Sequence, residues 1–430
     1  MEQKKQWGAI IIMIALFAMI AFVTNLCSPM AIIVKNQFGA SDVLAQVGNY
    51  GNFIAYLVMG IPSGMLIKKM GYKKTALLAL IVGIVGILIQ WMSGWDSIQS
   101  FGVYLVGAFV AGFCMCMLNA VVNPMLNTLG GGGNKGNQLI QIGGVFNSTA
   151  AVAVYIIMGA LIGDAAKAKI ADATPALFIA LAIFILAFVV IFFSKIQEPE
   201  QQAEEAKGKE EHSAFSFRHF KLGILAIFLY MGIEVGVPTY LLQYLSASPT
   251  DAVPGLGMDA STAALIAAVY WLMMLVGRFV GGSIGGKVSS RAMITAVSAA
   301  SFILVAFGMF APADIMVSVP GIDWANLIVI WAEVPVGVFA FLLVGLCTSV
   351  MWGGIFNMAV EGLGKYTSIA SGAFMTMVFG CAVMVAIQAW VAGITGSYLT
   401  SYLVVLGCAA YILFYALVGS KNVNKDIPVE

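Results

Sequence analysis

Apolar runs of roughly 20 residues follow one another along this chain, separated mostly by short polar gaps, and that pattern decides the class of fold. A hydrocarbon core about 30 Å thick is crossed by about 20 helical residues. Inside it every backbone N–H and C=O must find a partner within the protein, which leaves only helices and closed barrels. The runs are continuous and rich in Leu, Ile, Val, Ala and Gly, so helices are expected. Composition points the same way: of 430 residues 61% are hydrophobic and 10% charged, where a water-soluble domain carries about 25% charged residues.

The sequence predicts spans near 7–34, 43–66, 73–93, 100–126, 138–162 and 175–195, then 220–245, 260–286, 291–311, 336–360, 367–394 and 397–419. The expected fold is therefore an all-α membrane protein, with twelve transmembrane helices in two pseudo-symmetric six-helix bundles. Residues 1–195 form the first bundle, 196–219 a cytoplasmic linker and 220–430 the second bundle. The linker is charged, contains Pro and has no apolar period, as a solvated connector does. The opening Met-Glu-Gln-Lys-Lys resembles the start of a signal peptide, but the apolar run is too long and lacks a small-residue cleavage site, so an uncleaved first helix is expected. Lys4, Lys5, Lys68, Lys69, Lys73, Lys74, Lys135, Lys287, Arg291, Lys365, Lys421 and Lys425 fall in alternate gaps. The positive-inside rule makes those gaps cytoplasmic, with both termini inside.

Other classes find little footing. The six cysteines fall within the expected spans without metal-knuckle or redox spacing, and His212 and His219 fall in the linker, so no metal site is expected. A net charge of +1 and the lack of a phosphate-binding glycine motif argue against nucleic-acid partners and against an enzyme. No cofactor is expected beyond a coupling H+ or Na+. The lipid bilayer is the expected surrounding, and a monomer the default state.

The two halves carry a weak internal repeat. Gly64 to Lys74 after the second span and Gly282 to Arg291 after the eighth each pair a small-residue helix end with a tight basic turn, 218 positions apart. Thr128-Leu-Gly130 and Gly362-Leu-Gly364 repeat at an offset of 234. The larger offset matches an extra segment near 312–335, whose Trp324, Ile328, Trp331 and Glu333 suggest an interfacial amphipathic helix on the outer face. Parallel halves with substrate bound between them at mid-membrane are the architecture of major facilitator transporters, and the Gly64 to Lys74 stretch resembles their short basic loop motif, with Lys68 or Lys69 where an Asp is usual.

Polar residues inside the spans are the candidates for function. Glu234 is the carboxylate nearest mid-span, where a charge costs several kcal/mol and is usually kept for use. It is the candidate for coupling a cation. Asn119, Asn123 and Asn127 recur every fourth residue and share one helix face. Asn49, Asn52 and Tyr56 do so in the second span, and Gln138, Gln141, Asn147 and Ser148 line the fifth. Thr24, Asn25 and Ser28 precede Pro29, whose missing N–H frees the Asn25 carbonyl. Tyr240, Gln243 and Tyr244 surround Pro238, and Trp271, Trp352, Asn357 and Gln388 complete the set. Aromatic plates with amides are how proteins hold a sugar: the C–H face stacks while hydroxyls pair with amides. On this reading Asn25, Ser28, Asn49, Asn119, Asn123, Gln141, Asn147, Gln243, Trp271, Trp352 and Asn357 bind substrate, while Lys73 and Arg278 gate. Each of these could instead be an interhelical hydrogen bond or packing contact.

Four motifs narrow the resemblance. Asn123-Pro-Met-Leu-Asn-Thr-Leu-Gly130, Val145-Phe-Asn-Ser148, Phe228-Leu-Tyr-Met-Gly-Ile-Glu-Val235 and Gly277-Arg-Phe279 are similar, in order, to signatures of the fucose permease and glucose/galactose transporter family. The resemblance implies cation-coupled monosaccharide uptake across a bacterial inner membrane. Three positions depart from it: the family's span-one Asp corresponds to Ser28, its span-four acidic residue to Asn119, and the Gln before Phe-Asn-Ser to Gly144. Glu234 is left as the deep carboxylate. The expected function is thus a secondary active transporter importing a hexose or deoxyhexose by alternating access, with cation symport. The rivals are an uncoupled sugar uniporter, a membrane sugar sensor that does not transport, and a drug or lipid exporter.

Overall fold

The computed structural model describes residues 6–39, 42–162, 169–194, 196, 212–323, 326–424 and 426–429. The side chains at 27–29, 31–32, 35–36, 42–50, 52, 155–156, 158–162, 260–261 and 322–323 lie outside that description, which takes in Cys27, Ser28, Pro29, Asn49 and Asn52.

In the first half α1 is Trp7–Phe38, α2 Asp42–Met92, α3 Phe101–Leu129, α4 Gly133–Ile162 and α5 Ile170–Phe193. The 51 residues of α2 are interrupted at Gly71, whose φ of 86° and ψ of 171° suit glycine and disfavour side chains. The two expected spans therefore meet at a sharp turn with the basic Lys68 to Lys74 around it. In the second half α6 is Arg218–Ser246, and α7 (Ala260–Ala267) continues into α8 (Val269–Ile284). Then follow α9 (Ser290–Phe310), α10 (Val336–Thr348) with α11 (Met351–Val360), and α12 (Thr367–Thr376) with α13 (Gly380–Thr395). The last crossing is α14 (Tyr398–Ser401) and α15 (Leu403–Phe414), ending in a π-helical turn at Tyr415–Gly419. Among the described residues ten helical segments are long and apolar enough to cross a bilayer; Phe53–Met92 is a pair joined at Gly71, and α4 supplies the remaining crossing, which makes twelve. Phe193, Phe279, Phe310 and Trp390 are exposed on the outside, as a lipid-facing surface requires.

One expectation is corrected. The 312–335 segment is not a helix but an antiparallel hairpin, β1 (Met316–Asp323) paired with β2 (Ile328–Pro335), with Val319 opposite Ala332. Val317, Val319, Ile322, Ile328, Val329, Ile330 and Val334 are β-branched and suit a pleated surface better than a helix. Trp331 is exposed, Glu333 lies opposite Ser318, and Trp324 is outside the described residues.

The start of α1 and the end of α15 lie on one side, here called basal, with the starts of α4, α6, α9 and α12 and the ends of α3, α5, α8 and α11. Hydrogen bonds tie these basal ends together. Lys73 Nζ donates to the carbonyls of Phe192 at 3.0 Å and Ser194 at 2.7 Å, neutralising the last turn of α5. The C-terminal tail folds back beneath the second half: Lys365 N donates to Val429 O at 3.1 Å, Arg218 N donates to Asn424 Oδ1 at 2.9 Å, and Ile427 is buried.

Among the described residues the halves touch backbone to backbone toward their basal ends, where small residues allow it. A Cβ added at Gly372 of α12 would lie 2.5 Å from Gly60 O and 2.7 Å from Gly64 N of α2. Valine there must push the halves apart or strain both helices, at a cost of about 1–3 kcal/mol. Thermal unfolding of Gly372→Val in detergent is expected to begin at a lower temperature than in the wild-type protein, read as loss of the monodisperse peak after heating. An unchanged unfolding temperature would mean that the close contact carries no net stability.

Candidate functional site

The site grows from two prolines. Pro238 in α6 cannot donate to the carbonyl four residues earlier, which belongs to Glu234, so the helix is open at the position that carries the acid. Pro124 in α3 likewise strips the helical partner from Ala120 O, and Ser371 Oγ of α12 donates to that carbonyl at 2.9 Å across the two halves. The first proline loosens the acid's helix; the second creates a bond between halves.

Glu234 points toward Arg278 of α8, with Oε1 3.8 Å from Nη2. Their side chains keep 15% and 12% of their surface exposed, so the pair is largely withdrawn from solvent. The same guanidinium reaches α4 of the other half. Nη1 donates to Ser148 Oγ at 2.6 Å, to Asn147 Oδ1 at 3.2 Å and to Gly144 O at 3.3 Å. A planar fork suits this task, because its donors point in fixed directions toward several acceptors. Asn147 is held in turn by donating from Nδ2 to Phe17 O of α1 at 2.9 Å. Gly144 leaves room for the approach, since a Cβ there would meet Arg278 Cδ at 3.2 Å.

Aromatic rings stand beside the pair. Tyr230 precedes Glu234 by one turn; it is fully buried, and its hydroxyl is turned to the Glu234 carboxylate. Its ring centroid is 6.3 Å from that of Trp352 in α11, which meets Phe374 edge to face at 5.5 Å. Trp352 Nε1 donates to Asn123 Oδ1 of α3 at 3.1 Å, a second bridge between halves. Asn119, one turn earlier in α3, donates to Tyr56 Oη of α2 at 2.7 Å. Gln141 Nε2 of α4 donates to Val350 O at 3.0 Å, and Gln138 Nε2 donates to Gly282 O at 3.0 Å. These bridges form a closed layer on the basal side of Glu234.

The sequence-derived residues thus divide by place. Asn119, Asn123, Gln141, Asn147, Trp352, Glu234 and Arg278 join one network around the centre and the closed layer. Trp271 lies two turns from Arg278 on the same face of α8, away from the basal end, and is 43% exposed. Gln243 is exposed, and its position half a turn out of phase with Glu234 puts it on the opposite face of α6. Asn25 Nδ2 donates within its own helix to Ala21 O at 2.8 Å. Asn357 lies more basally, donating to Ser290 Oγ at 2.8 Å. Lys73 caps α5, outside this network. Ser28 and Asn49 fall outside the described side chains. Sequence reasoning passed over Tyr230 and Ser371. The i, i+4 spacing of Tyr230 to Glu234 was a usable signal, whereas nothing local marks Ser371, whose partner is 251 residues away. Among the described residues no group of acidic, Cys or His side chains could hold a metal ion.

Comparison with known proteins gives these features a context. Residues 12–387 match the family model described as the Major Facilitator Superfamily. The chain is 30% identical over 429 residues to the glucose/galactose transporter of Brucella abortus biovar 1 (strain 9-941), covering 98% of this chain and 96% of that protein. It is 22% identical to the L-fucose-proton symporter of Escherichia coli (strain K12) over 401 residues, covering 87% and 84%. A solved structure of the major facilitator transporter FucP in the outward conformation superimposes with a TM-score of 0.80 at 20% identity, covering 96% of this chain and 99% of that one.

Proposed function

We propose that this chain, which belongs to the major facilitator superfamily and within it to the branch of glucose/galactose transporters and fucose-proton symporters, imports a hexose or deoxyhexose by alternating access, with a coupling cation neutralising Glu234. At the coarser level it is a multi-pass membrane transporter of sugars and not an enzyme. The basic turns at the basal end make that end cytoplasmic on the positive-inside rule. The two bundles, 1–195 and 220–430, rock about the central site, and closure of the basal layer leaves the site facing outward.

The observation that carries the reading is the double engagement of Arg278. One face of its guanidinium pairs with Glu234 in its own half and the other donates to Gly144, Asn147 and Ser148 of the opposite half. A charge-assisted hydrogen bond contributes about 1.5–3 kcal/mol, so this contact is a strong latch on the closed layer. When a proton or sodium ion neutralises the carboxylate, Arg278 loses the partner that orients it, the latch weakens and the layer can open. The sugar lies toward Trp352 and Tyr230, and Asn123 and Asn147 meet its hydroxyls by giving up the bonds to Trp352, Arg278 and Phe17 that they hold in the closed layer.

The ion pair itself favours a second reading. A carboxylate already balanced by an arginine needs no coupling ion, and the protein would then be a uniporter with a structural pair. Uptake of labelled D-glucose, D-galactose and L-fucose into proteoliposomes, with and without an inward proton or sodium gradient, separates the two. Accumulation above the external concentration under one gradient is the expected result. Equilibration alone under every gradient leaves the uniporter, and no flux of any sugar removes the transporter reading itself.

A further inference from the structure

Basal to the closed layer the halves part again around a cleft of about 360 Å3. Asn127, Thr128 and the Gly131–Gly133 turn form one wall; Asn357, Glu361 and Thr367 form the other. Ligand pockets span about 300–1,000 Å3, so the space suits a molecule of monosaccharide size. Its two walls are equivalent ends of the two halves. Asn123 and Asn357 are 234 positions apart, as are Asn127 and Glu361, the offset already seen for Gly130 and Gly364. The cleft therefore lies where the repeat brings its own copies face to face.

Its chemistry is that of a polyol site. Asn127 lines the cleft and is only 9% exposed; its Oδ1, which has no hydrogen-bond partner among the described residues, is turned toward Gly136 of α4. Glu361 is exposed at the end of α11 and accepts hydroxyls on two oxygens. Gly131, Gly132 and Gly133 turn with φ of 81°, 69° and 52° and leave bare backbone at the rim. Among the described residues no Lys or Arg lines the walls, and the one charged side chain there is Glu361, so an anion is disfavoured.

Continuity adds the direction. Asn119, Asn123 and Asn127 follow one another at four-residue steps, about 6 Å each, along α3. The first meets Tyr56, the second meets Trp352 in the closed layer, and the third faces the cleft. One amide stripe thus runs from the central site through the barrier to the space beneath it. We propose that this cleft is a second binding site for the transported sugar, a release-side station that basal sugar can enter while the layer above is closed. The inference rests on the transporter reading.

The test uses the full-length protein with Thr128→Cys in inside-out vesicles and a membrane-impermeant maleimide, read against labelling of the parent protein. D-glucose, D-galactose and L-fucose serve as probes in sodium-free buffer, with betaine as the osmotic control and a separate arm with sodium and no sugar. A transported sugar is expected to slow labelling severalfold. Adding Glu361→Ala should raise the half-protecting concentration roughly tenfold, the effect of losing about 1.4 kcal/mol, while the half-saturating external concentration for uptake moves much less. No protection at concentrations that saturate counterflow overturns the proposal. So does an equal shift on both sides, which would mean one central site seen from two directions, and so does protection by sodium without sugar. If no sugar is transported at all, the labelling still decides: protection keeps the cleft as a sugar site, and none removes it.

Discussion

Proteoliposomes carrying Glu234→Gln are expected to exchange labelled sugar for unlabelled sugar at close to the wild-type rate, yet to accumulate none under a gradient that drives the wild-type protein. Glutamine keeps the length and one carbonyl acceptor of the side chain but cannot change charge, so it imitates the cation-neutralised state permanently. Counterflow needs only the loaded carrier to reorient. Net accumulation also needs the empty carrier to return with its cation site vacant and charged. In the variant that restriction is gone, and the internal concentration should settle at the external one. The effect is total on accumulation and small on exchange, a contrast that general damage does not produce. Loss of both activities together would make Glu234 a folding or binding residue, and unchanged accumulation would exclude it from coupling.

How much of this was legible follows from which forces were local. The twelve crossings were readable because bilayer thickness imposes one length on every apolar run. Gly71 was readable as a turn, with its flanking lysines, though not the 86° φ that lets α2 reverse there. The hairpin at Met316–Pro335 was missed because its Trp and Ile positions were read at helical spacing, although seven β-branched residues favoured strands. In the site, Glu234 could be found by the cost of a charge in lipid, but its pairing with Arg278 could not. The two are 44 positions apart on different helices, and packing rather than any sequence period brings them together. The Asn119, Asn123 and Asn127 stripe was visible as a stripe. That its members serve three different levels, one above the closed layer, one in it and one below, depends on where the second half docks.

Arg278 should prove the more demanding residue of the pair. In Arg278→Met the Glu234 carboxylate keeps its burial and loses its partner, and breaking a buried pair from one side costs about 3–5 kcal/mol. The three donations from Nη1 to α4 vanish with it. Uptake is expected to fall by roughly a hundredfold or more, which corresponds to about 2.7 kcal/mol. Thermal stability in detergent should fall as well, read as loss of the monodisperse peak after heating. Arg278→Lys retains a positive charge for Glu234 but not the fork, so it should recover most of the stability and little of the uptake. The decisive comparison is the double variant Glu234→Gln with Arg278→Met. Removing both partners leaves no unpaired charge, so the double variant should be more stable than Arg278→Met alone, with a coupling energy on the order of 1–3 kcal/mol. Transport should stay low, because the latch to Asn147 and Ser148 is still missing. A double variant no more stable than Arg278→Met would show that the 3.8 Å approach carries no energy. The arginine would then matter only for its bonds to the opposite half.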